Sequence, residues 1–328
     1  MPSARILVTG ASGFVGTHLV RWLVRCRRDT RAAVRRSLAP NDAKVQLVAV
    51  GDIGRATDWT RALAEIDVVV HLAGRAHVQD GHSPAALARF REVNVEGTMR
   101  LAEQAADQVR RLVFVSSIGV NGSRTTDRPF SESSPAAPVE DYAKSKYEAE
   151  QELRALSART GLELVIVRPP LVYGPGCPGN FRSLIRLVDS GLPLPLASIR
   201  NSRSLIFVEN LASALLACVE HPSAHGRTYL VDDGETISTP ELARTLGRLL
   251  GRQTRLFQCP LPILRSLASL VRRTDALDKL SDSLVVDGAA IRKELAWRPH
   301  RTMRDGLAET VRWYREAVVR GPRGALPC

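Results

Sequence analysis

Aromatic residues are scarce in this 328-residue chain, where Phe, Trp and Tyr together make up 5%. No helix-turn-helix, zinc or aromatic ribonucleoprotein pattern accompanies the basic charge, which argues against nucleic acid as a partner. Cysteine is equally sparse. Cys26, Cys177, Cys218, Cys259 and Cys328 are odd in number, far apart and without C-x-x-C spacing. They exclude a disulfide framework and a cysteine zinc site, no metal is expected, and a reducing compartment fits. No stretch approaches the ~18–20 apolar residues that span a bilayer. The apolar run after Arg5 is too short for a signal peptide and reads as a strand, so the expected location is the cytoplasm. Lysine is nearly missing, with five against 41 arginines.

What is present is ordinary globular composition, 44% hydrophobic and 24% charged, with length enough for a large core. The net charge of +12 suggests an anionic ligand such as a phosphate; its rival is a solvated, arginine-rich surface. Strand-like runs at 5–9, 31–34, 46–50, 68–72, 112–116 and 164–168 alternate with helical patterns at 14–27, 85–108 and 141–160. That alternation predicts an α/β fold, a doubly wound parallel sheet covered on both faces. After Arg168 prolines cluster, and helical patterns return at 180–190, 210–220, 239–250, 262–272, 289–295 and 304–318. The expected organisation is a dinucleotide-binding domain over 1–168 and a smaller substrate-binding lobe over 169–328. Part of about 203–235 is expected to return to the first sheet.

The first strand runs into Thr9-Gly10-Ala11-Ser12-Gly13-Phe14-Val15-Gly16 and then a helix. In this G-x-x-G-x-x-G spacing Gly10 permits the turn and Gly13 lets backbone amides approach a pyrophosphate. Gly16 lets helix and sheet pack closely, and the helix N-terminus favours the negative charge. Ser12, Phe14 and Val15 belong to the same cradle. The second strand ends Ala33-Val34-Arg35-Arg36. It lacks the carboxylate that would bind ribose hydroxyls, and Arg35 and Arg36 can clamp a 2′-phosphate, so NADP(H) is preferred over NAD(H). Asp52, followed by Ile53, is placed to accept a hydrogen bond from the adenine.

Tyr142 and Lys146 stand four residues apart at the start of a helical pattern, on one face. A neighbouring ammonium and an oxidised nicotinamide would favour the phenolate, so Tyr142 can exchange a proton with a substrate oxygen. Ser116 and Ser117 end the fifth strand, at the sheet edge where ligands bind.

With TGASGFVG at 9–16, HLAG at 71–74, NVEGT at 94–98, SSIGVNG at 116–122, YAKSK at 142–146 and RPPLVYGPG at 168–176, the chain resembles extended short-chain dehydrogenases/reductases. Within them it resembles the nucleotide-sugar epimerase, dehydratase and reductase group, over nearly its whole length. The resemblance implies a Rossmann-type fold, Tyr142 as general acid/base, Lys146 as its support and ribose ligand, and Ser117 rather than Ser116 as third member. It implies that Leu72, Ala73, Gly74 and Pro169 line the cofactor, with Asn94 structural beside them. Asn180 and Arg203 would face the nucleotide diphosphate, although Ser204 stands where an acid usually follows that arginine. Asn121 replaces a tyrosine usual in the family. A homodimer through helices near 92–108 and 141–160 is implied as well.

Related 4,6-dehydratases carry Asp-Glu directly after the active-site Thr or Ser, where this chain has Ile118-Gly119; 4,6-dehydration is therefore rejected. The leading expectation is NADPH-dependent 4-reduction of a UDP-4-keto-6-deoxy-N-acetylhexosamine in surface polysaccharide synthesis. The alternatives are a nucleotide-sugar 4-epimerase, a small-molecule ketone reductase, and a non-enzymatic dinucleotide sensor. Smaller signals receive plain readings: Cys177 as a loop thiol, His77 and His82 as solvated side chains. The segment 260–273, which pairs Ile263, Leu264, Leu267 and Leu270 with arginines, reads as a substrate-lobe helix with membrane contact as its rival.

Overall fold

The computed structural model describes residues 4–36, 45–76, 84–270 and 274–319. His77, His82, Arg272, Arg273 and Cys328 lie outside the described residues. In chain order the strands are β1 Ile6–Thr9, β2 Thr30–Val34, β3 Val45–Ala49, β4 Val68–His71, β5 Arg111–Val115, β6 Glu163–Arg168, β7 Leu171–Tyr173, β8 Arg203–Phe207, β9 Thr228–Leu230 and β10 Thr236–Ile237. The helices are α1 Phe14–Arg25, α2 Thr60–Leu63, α3 Pro84–Arg91, α4 Gly97–Ala105, α5 Asp141–Thr160, α6 Gly179–Asp189, α7 Val208–Glu220, α8 Thr239–Leu250, α9 Leu261–Leu270, α10 Thr274–Ser281, α11 Ala289–Glu294 and α12 Met303–Val319.

Seven parallel strands form the main sheet in the order β3-β2-β1-β4-β5-β6-β9. The doubly wound Rossmann-type sheet is therefore present. In β1 the alternation is plain: Ile6 and Val8 face one layer with Leu19, Leu23, Leu211 and Leu215, while Leu7 faces the other with Leu101, Phe114 and Leu153. Apolar residues on both strand faces are what a sheet covered on both sides requires. The order reverses between β1 and β4, which opens a crevice at their carboxyl ends.

Of 203–235, β9 lies in the main sheet, whereas β8 joins β7 and β10 in a separate three-stranded sheet. That small sheet packs with α6, α8 and α12 around a second core that includes Tyr173, Phe181, Phe207, Leu246 and Val311. The single helix expected over 85–108 is two helices joined by a π-helical segment, Glu92–Glu96. Apolar periodicity does not register one inserted residue, and such π turns gather at functional sites. The helix expected over 262–272 is α9, and α10 follows as a helix the sequence reading did not separate. No helix among the described residues is long and apolar enough to cross a membrane.

Some of the arginine surplus is architectural. Arg111 is buried, and its Nη1 donates to the carbonyls of Cys218, Val219 and His221 at the end of α7. Arg31 does the same for Ala62 and Ala64 around the end of α2. Each guanidinium satisfies carbonyls that a helix leaves open and sits at the negative end of its dipole.

The two cores are tied by one carboxylate. Buried Asp233 accepts from the Tyr173 hydroxyl at 2.8 Å, from the Phe207 amide at 2.9 Å and from Asn210 Nδ2 at 2.8 Å. Burial pushes its pKa up to about 6 despite these donors. Asp233→Ala strands three buried donors, so a loss of roughly 3 kcal/mol in unfolding free energy is expected. Asp233→Asn, which keeps an acceptor oxygen, should lose less; urea unfolding midpoints of the two variants check the order.

Candidate active site

The turn after β1 is built from backbone against backbone. Gly10 has φ +65°, and a Cβ there would stand 2.8 Å from the Ala73 amide nitrogen. A Cβ on Gly16 would stand 2.1 Å from the Gly10 carbonyl oxygen. Both positions demand glycine, because any side chain would push α1 off the sheet or β1 off β4. Gly13 N-caps α1 without a side-chain acceptor, so the amides of Phe14, Val15 and Gly16 begin the helix with no side chain competing for them. Ser12 is exposed beside them. That is a cradle for a diphosphate.

His71, at the end of β4, fastens the turn from below. Thr9 Oγ1 lies 2.7 Å from His71 Nδ1, and His71 Nε2 lies 2.9 Å from Thr98 Oγ1. The Ala73 amide also donates to Thr9 Oγ1. Burial drives the imidazole pKa down to about 3, so the ring is neutral and carries one proton. The pattern that satisfies every group has Thr9 donating to Nδ1 and Nε2–H donating to Thr98.

Asn94, inside the π segment, accepts from the Arg75 amide at 2.7 Å and donates to the Arg75 carbonyl at 3.0 Å and to Ser145 Oγ at 2.9 Å. It joins the segment after Gly74 to α5, the helix that carries Tyr142 and Lys146. Lys146 lies under the same edge, 2% exposed. Its Nζ donates to the Val115 carbonyl at 2.9 Å and sits 4.5 Å above the Phe114 ring. A Cβ on Gly74 would come within 3.4 Å of that Nζ. Leu72, Ala73, Gly74, Asn94 and Lys146 therefore share one side of the crevice.

Ser117 caps a short 3-10 turn, its Oγ accepting from the Gly119 amide at 3.1 Å. Gly119 is wedged against α5: a Cβ there would be 3.2 Å from the Ala143 Cβ, next to Tyr142. A carboxylate pair at 118–119 would have to enter this contact, and Ile118 is itself buried against Leu230 and Val286. The Ile118 amide donates to the Pro169 carbonyl, which places Pro169 at the same edge. Ser116 Oγ is buried with no hydrogen-bond partner. An unsatisfied hydroxyl beside Lys146's anchor strand, together with the glycine cradle, fits a nicotinamide dinucleotide that supplies the missing partners.

The electrostatics differ from the sequence expectation at Tyr142. The phenol is not lowered by Lys146; burial raises it to about 12. Lys146 is itself pushed down to about 8 by burial, with Glu150 opposing that shift. In place of an ammonium directed at the phenol, the structure directs it at the Val115 carbonyl.

The other expected residues are distributed around this centre. Arg35 forms an exposed ion pair with Asp52 at 3.0 Å, so Asp52 faces a guanidinium here rather than standing free for an adenine. Arg36 is exposed. Ile53 packs on Gly97, where a Cβ would meet it at 2.6 Å. Asn180 is exposed at the start of α6. Arg203 is partly buried and donates to the Asp282 carbonyl at 2.9 Å, while Ser204 Oγ accepts from the Val286 amide. Cys177 is buried in the second core, which pushes its thiol up to about 11 and removes it from nucleophilic chemistry.

The profile of the NAD dependent epimerase/dehydratase family matches residues 6–232. The chain belongs to this family. It is an NAD(P)-dependent enzyme of the extended short-chain dehydrogenase/reductase type. It is 42% identical to a UDP-glucose 4-epimerase of Vibrio cholerae over 97% of both chains. It is 30% identical to a dTDP-glucose 4,6-dehydratase of Mycobacterium tuberculosis (strain H37Rv), over 95% of this chain and 93% of the other. Among solved structures, a dTDP-glucose 4,6-dehydratase of Streptomyces venezuelae with NAD bound aligns with a TM-score of 0.76 at 29% identity, covering 97% and 99% of the two chains.

One network in this family member was missed in the sequence. Glu150, one helical turn past Lys146, binds Arg168 through both carboxylate oxygens, and Arg168 Nη1 donates to Asn121 Oδ1 at 3.1 Å. Asn121 in turn donates to the Ser134 carbonyl. The residue standing in for the family's tyrosine is thus buried and closes an ion-pair network beneath the site. The i, i+4 step from Lys146 to Glu150 was its only local signal.

Burying Lys146 has a pH signature. Between about 8, its folded value, and the free value of 10.5, the unfolded chain binds more protons than the folded one. The stability of the cofactor-free protein, compared with Lys146→Met, therefore rises with pH across that window, by up to roughly 3 kcal/mol. Urea unfolding of both proteins through the window measures it; a pH-independent difference would mean the amine is not buried as a cation.

Proposed function

We propose that this enzyme is a nucleotide-sugar 4-epimerase acting on a UDP-linked hexose. The observation that carries the reading is the 42% identity to the Vibrio cholerae UDP-glucose 4-epimerase across 97% of both chains. The site supports it chemically. Tyr142 is the proton-transfer group the arrangement offers at the sugar carbon, and the Ile118-Gly119 step leaves no acid/base pair for eliminating water.

A dinucleotide held by the Gly10–Gly16 turn and Lys146 would supply the hydride acceptor for C4 and, once the 4-keto sugar has turned over in the site, the hydride donor to its opposite face. Tyr142 takes the proton from the C4 hydroxyl as hydride leaves and gives it back to the oxygen when hydride returns. Its phenol, raised to about 12, is protonated at neutral pH and so stands in the state needed for the return step. The forward step needs the phenolate, which the positive charge of an oxidised nicotinamide beside the ring would favour. Ser117 orients the C4 oxygen by a hydrogen bond, and Lys146 holds the nicotinamide ribose. Asn180 and Arg203 serve the diphosphate, Arg203 through the donor nitrogens not spent on Asp282.

A second reading, the NADPH-dependent reductase of a UDP-4-keto-6-deoxy-N-acetylhexosamine, is favoured by one feature. The β2 end offers Arg35 and Arg36 and no carboxylate, which suits a 2′-phosphate and hence NADP(H) over NAD(H).

The two readings separate in a cuvette. An epimerase converts UDP-glucose to UDP-galactose, or UDP-N-acetylglucosamine to its galacto isomer, with no net change at the nicotinamide absorbance. The reductase leaves those sugars untouched and oxidises one NADPH per UDP-4-ketosugar. Tyr142→Phe is expected to lower kcat by about 10²–10⁴-fold while leaving substrate affinity nearly unchanged.

A further inference from the structure

The α9–α10 hairpin and the segment before it expose apolar side chains that no part of the described structure covers. Leu270 is 82% exposed, Ile263 52% and Phe257 47%. Ile263 and Leu270 are seven residues apart and so share one face of α9, while Leu264 on another face is buried. Phe257 is brought alongside by the pairing of 255–257 with Leu194, which also brings Leu192, 62% exposed.

Arginine dominates the charge of the segment that carries this face. From Glu241 to Asp275 the sequence holds seven arginines and no lysine, aspartate or glutamate between those two acids. Arg252, Arg255 and Arg265 are exposed, the first and last pairing at the rim with Asp189 and Asp278. Between α9 and α10 lies an open groove of about 400 Å³ lined by Arg265, Ser266, Ser269, Thr274 and Asp278. Its charged donor to a phosphodiester is the Arg265 guanidinium, half-exposed and 3.6 Å from Asp278, because the Ser266 and Ser269 hydroxyls donate to the Pro262 and Ser266 carbonyls of their own helix. The hairpin also reaches the site: Lys279 of α10 pairs at 2.9 Å with Glu140, the N-cap of the helix that carries Tyr142.

We propose that this face docks on an anionic phospholipid surface. The apolar residues of α9 and Phe257 enter the headgroup boundary, and the arginines meet the lipid phosphates. A cationic segment alone would suit any polyanion; exposed leucine, isoleucine and phenylalanine within it fit a partner that has an apolar interior beneath its negative charge. Such docking holds the enzyme at a membrane by its periphery, with the mouth of the active site beside the surface.

Co-sedimentation of the full chain with vesicles tests this. Binding is expected to phosphatidylcholine vesicles containing phosphatidylglycerol at about 0.05 M salt, to weaken strongly at about 0.5 M salt, and to be slight with phosphatidylcholine alone. The double variant Ile263→Asp, Leu270→Asp is expected to lower the partition coefficient at least about tenfold. Both residues are exposed and outside the catalytic constellation, so its melting temperature and its turnover of a soluble nucleotide sugar should match the parent. Absence of binding to the anionic vesicles at low salt overturns the proposal. So does a double variant that binds them as the parent does, which would reduce the face to a general polyanion patch, as retention of both proteins on heparin would then show.

Discussion

An ammonium group almost wholly removed from water organises the centre of this protein. Lys146 can stay there because the Val115 carbonyl, the face of Phe114 and the charge of Glu150 stand in for hydration. Each of these has its own requirement. The Val115 carbonyl is available because it lies at the end of β5, where the sheet stops and the crevice begins. Glu150 is tolerated in the interior because Arg168 binds both its oxygens, and Arg168 is satisfied in part by Asn121. A buried ion pair contributes little net stability by itself; its value here is that it holds a charge and a helix face in register with the site. The close approach of Gly74 to Lys146, and of Gly10 to Ala73, follows from the same crowding.

The arginine content acquires three separate meanings once the chain is folded. Arg31 and Arg111 close helix ends in the interior, Arg168 balances Glu150, and Arg244, Arg248, Arg252, Arg255 and Arg265 remain at the surface. Net charge could not have separated these, since a guanidinium counts the same wherever it sits. Helix-end carbonyls and buried carboxylates suit Arg better than Lys because a planar fork meets several oxygens at once.

Chemistry at the site is narrowed by what cannot fit as much as by what is present. Gly119 presses on Ala143 and Ile118 is packed under Leu230, so the strand end presents Ser117 without an acid beside it. That is a local steric fact with a chemical consequence, because elimination needs a proton donor and acceptor that simple oxidation and reduction at one carbon do not. Asn121 shows the converse. Its substitution for tyrosine removes a ring, yet the amide gains two partners, one of them the guanidinium that neutralises Glu150.

The linear order of residues was sufficient for the sheet, the glycine turn and the common helix of Tyr142 and Lys146, since each rests on short-range spacing: two-residue or four-residue periods, and a turn that admits only glycine. It was also sufficient to exclude an acid pair after Ser117. Folding alone decided where charges go. Lys146 turned toward a carbonyl instead of the phenol, Arg35 toward Asp52, and Arg203 toward the Asp282 carbonyl, because each partner arrives from a distant segment or from the end of a strand. The π turn that places Asn94 was likewise invisible, as one extra residue hardly disturbs an apolar pattern. Burial, which set the Tyr142 and Lys146 protons in opposite directions, is a property of the assembled layers and has no counterpart in residue order.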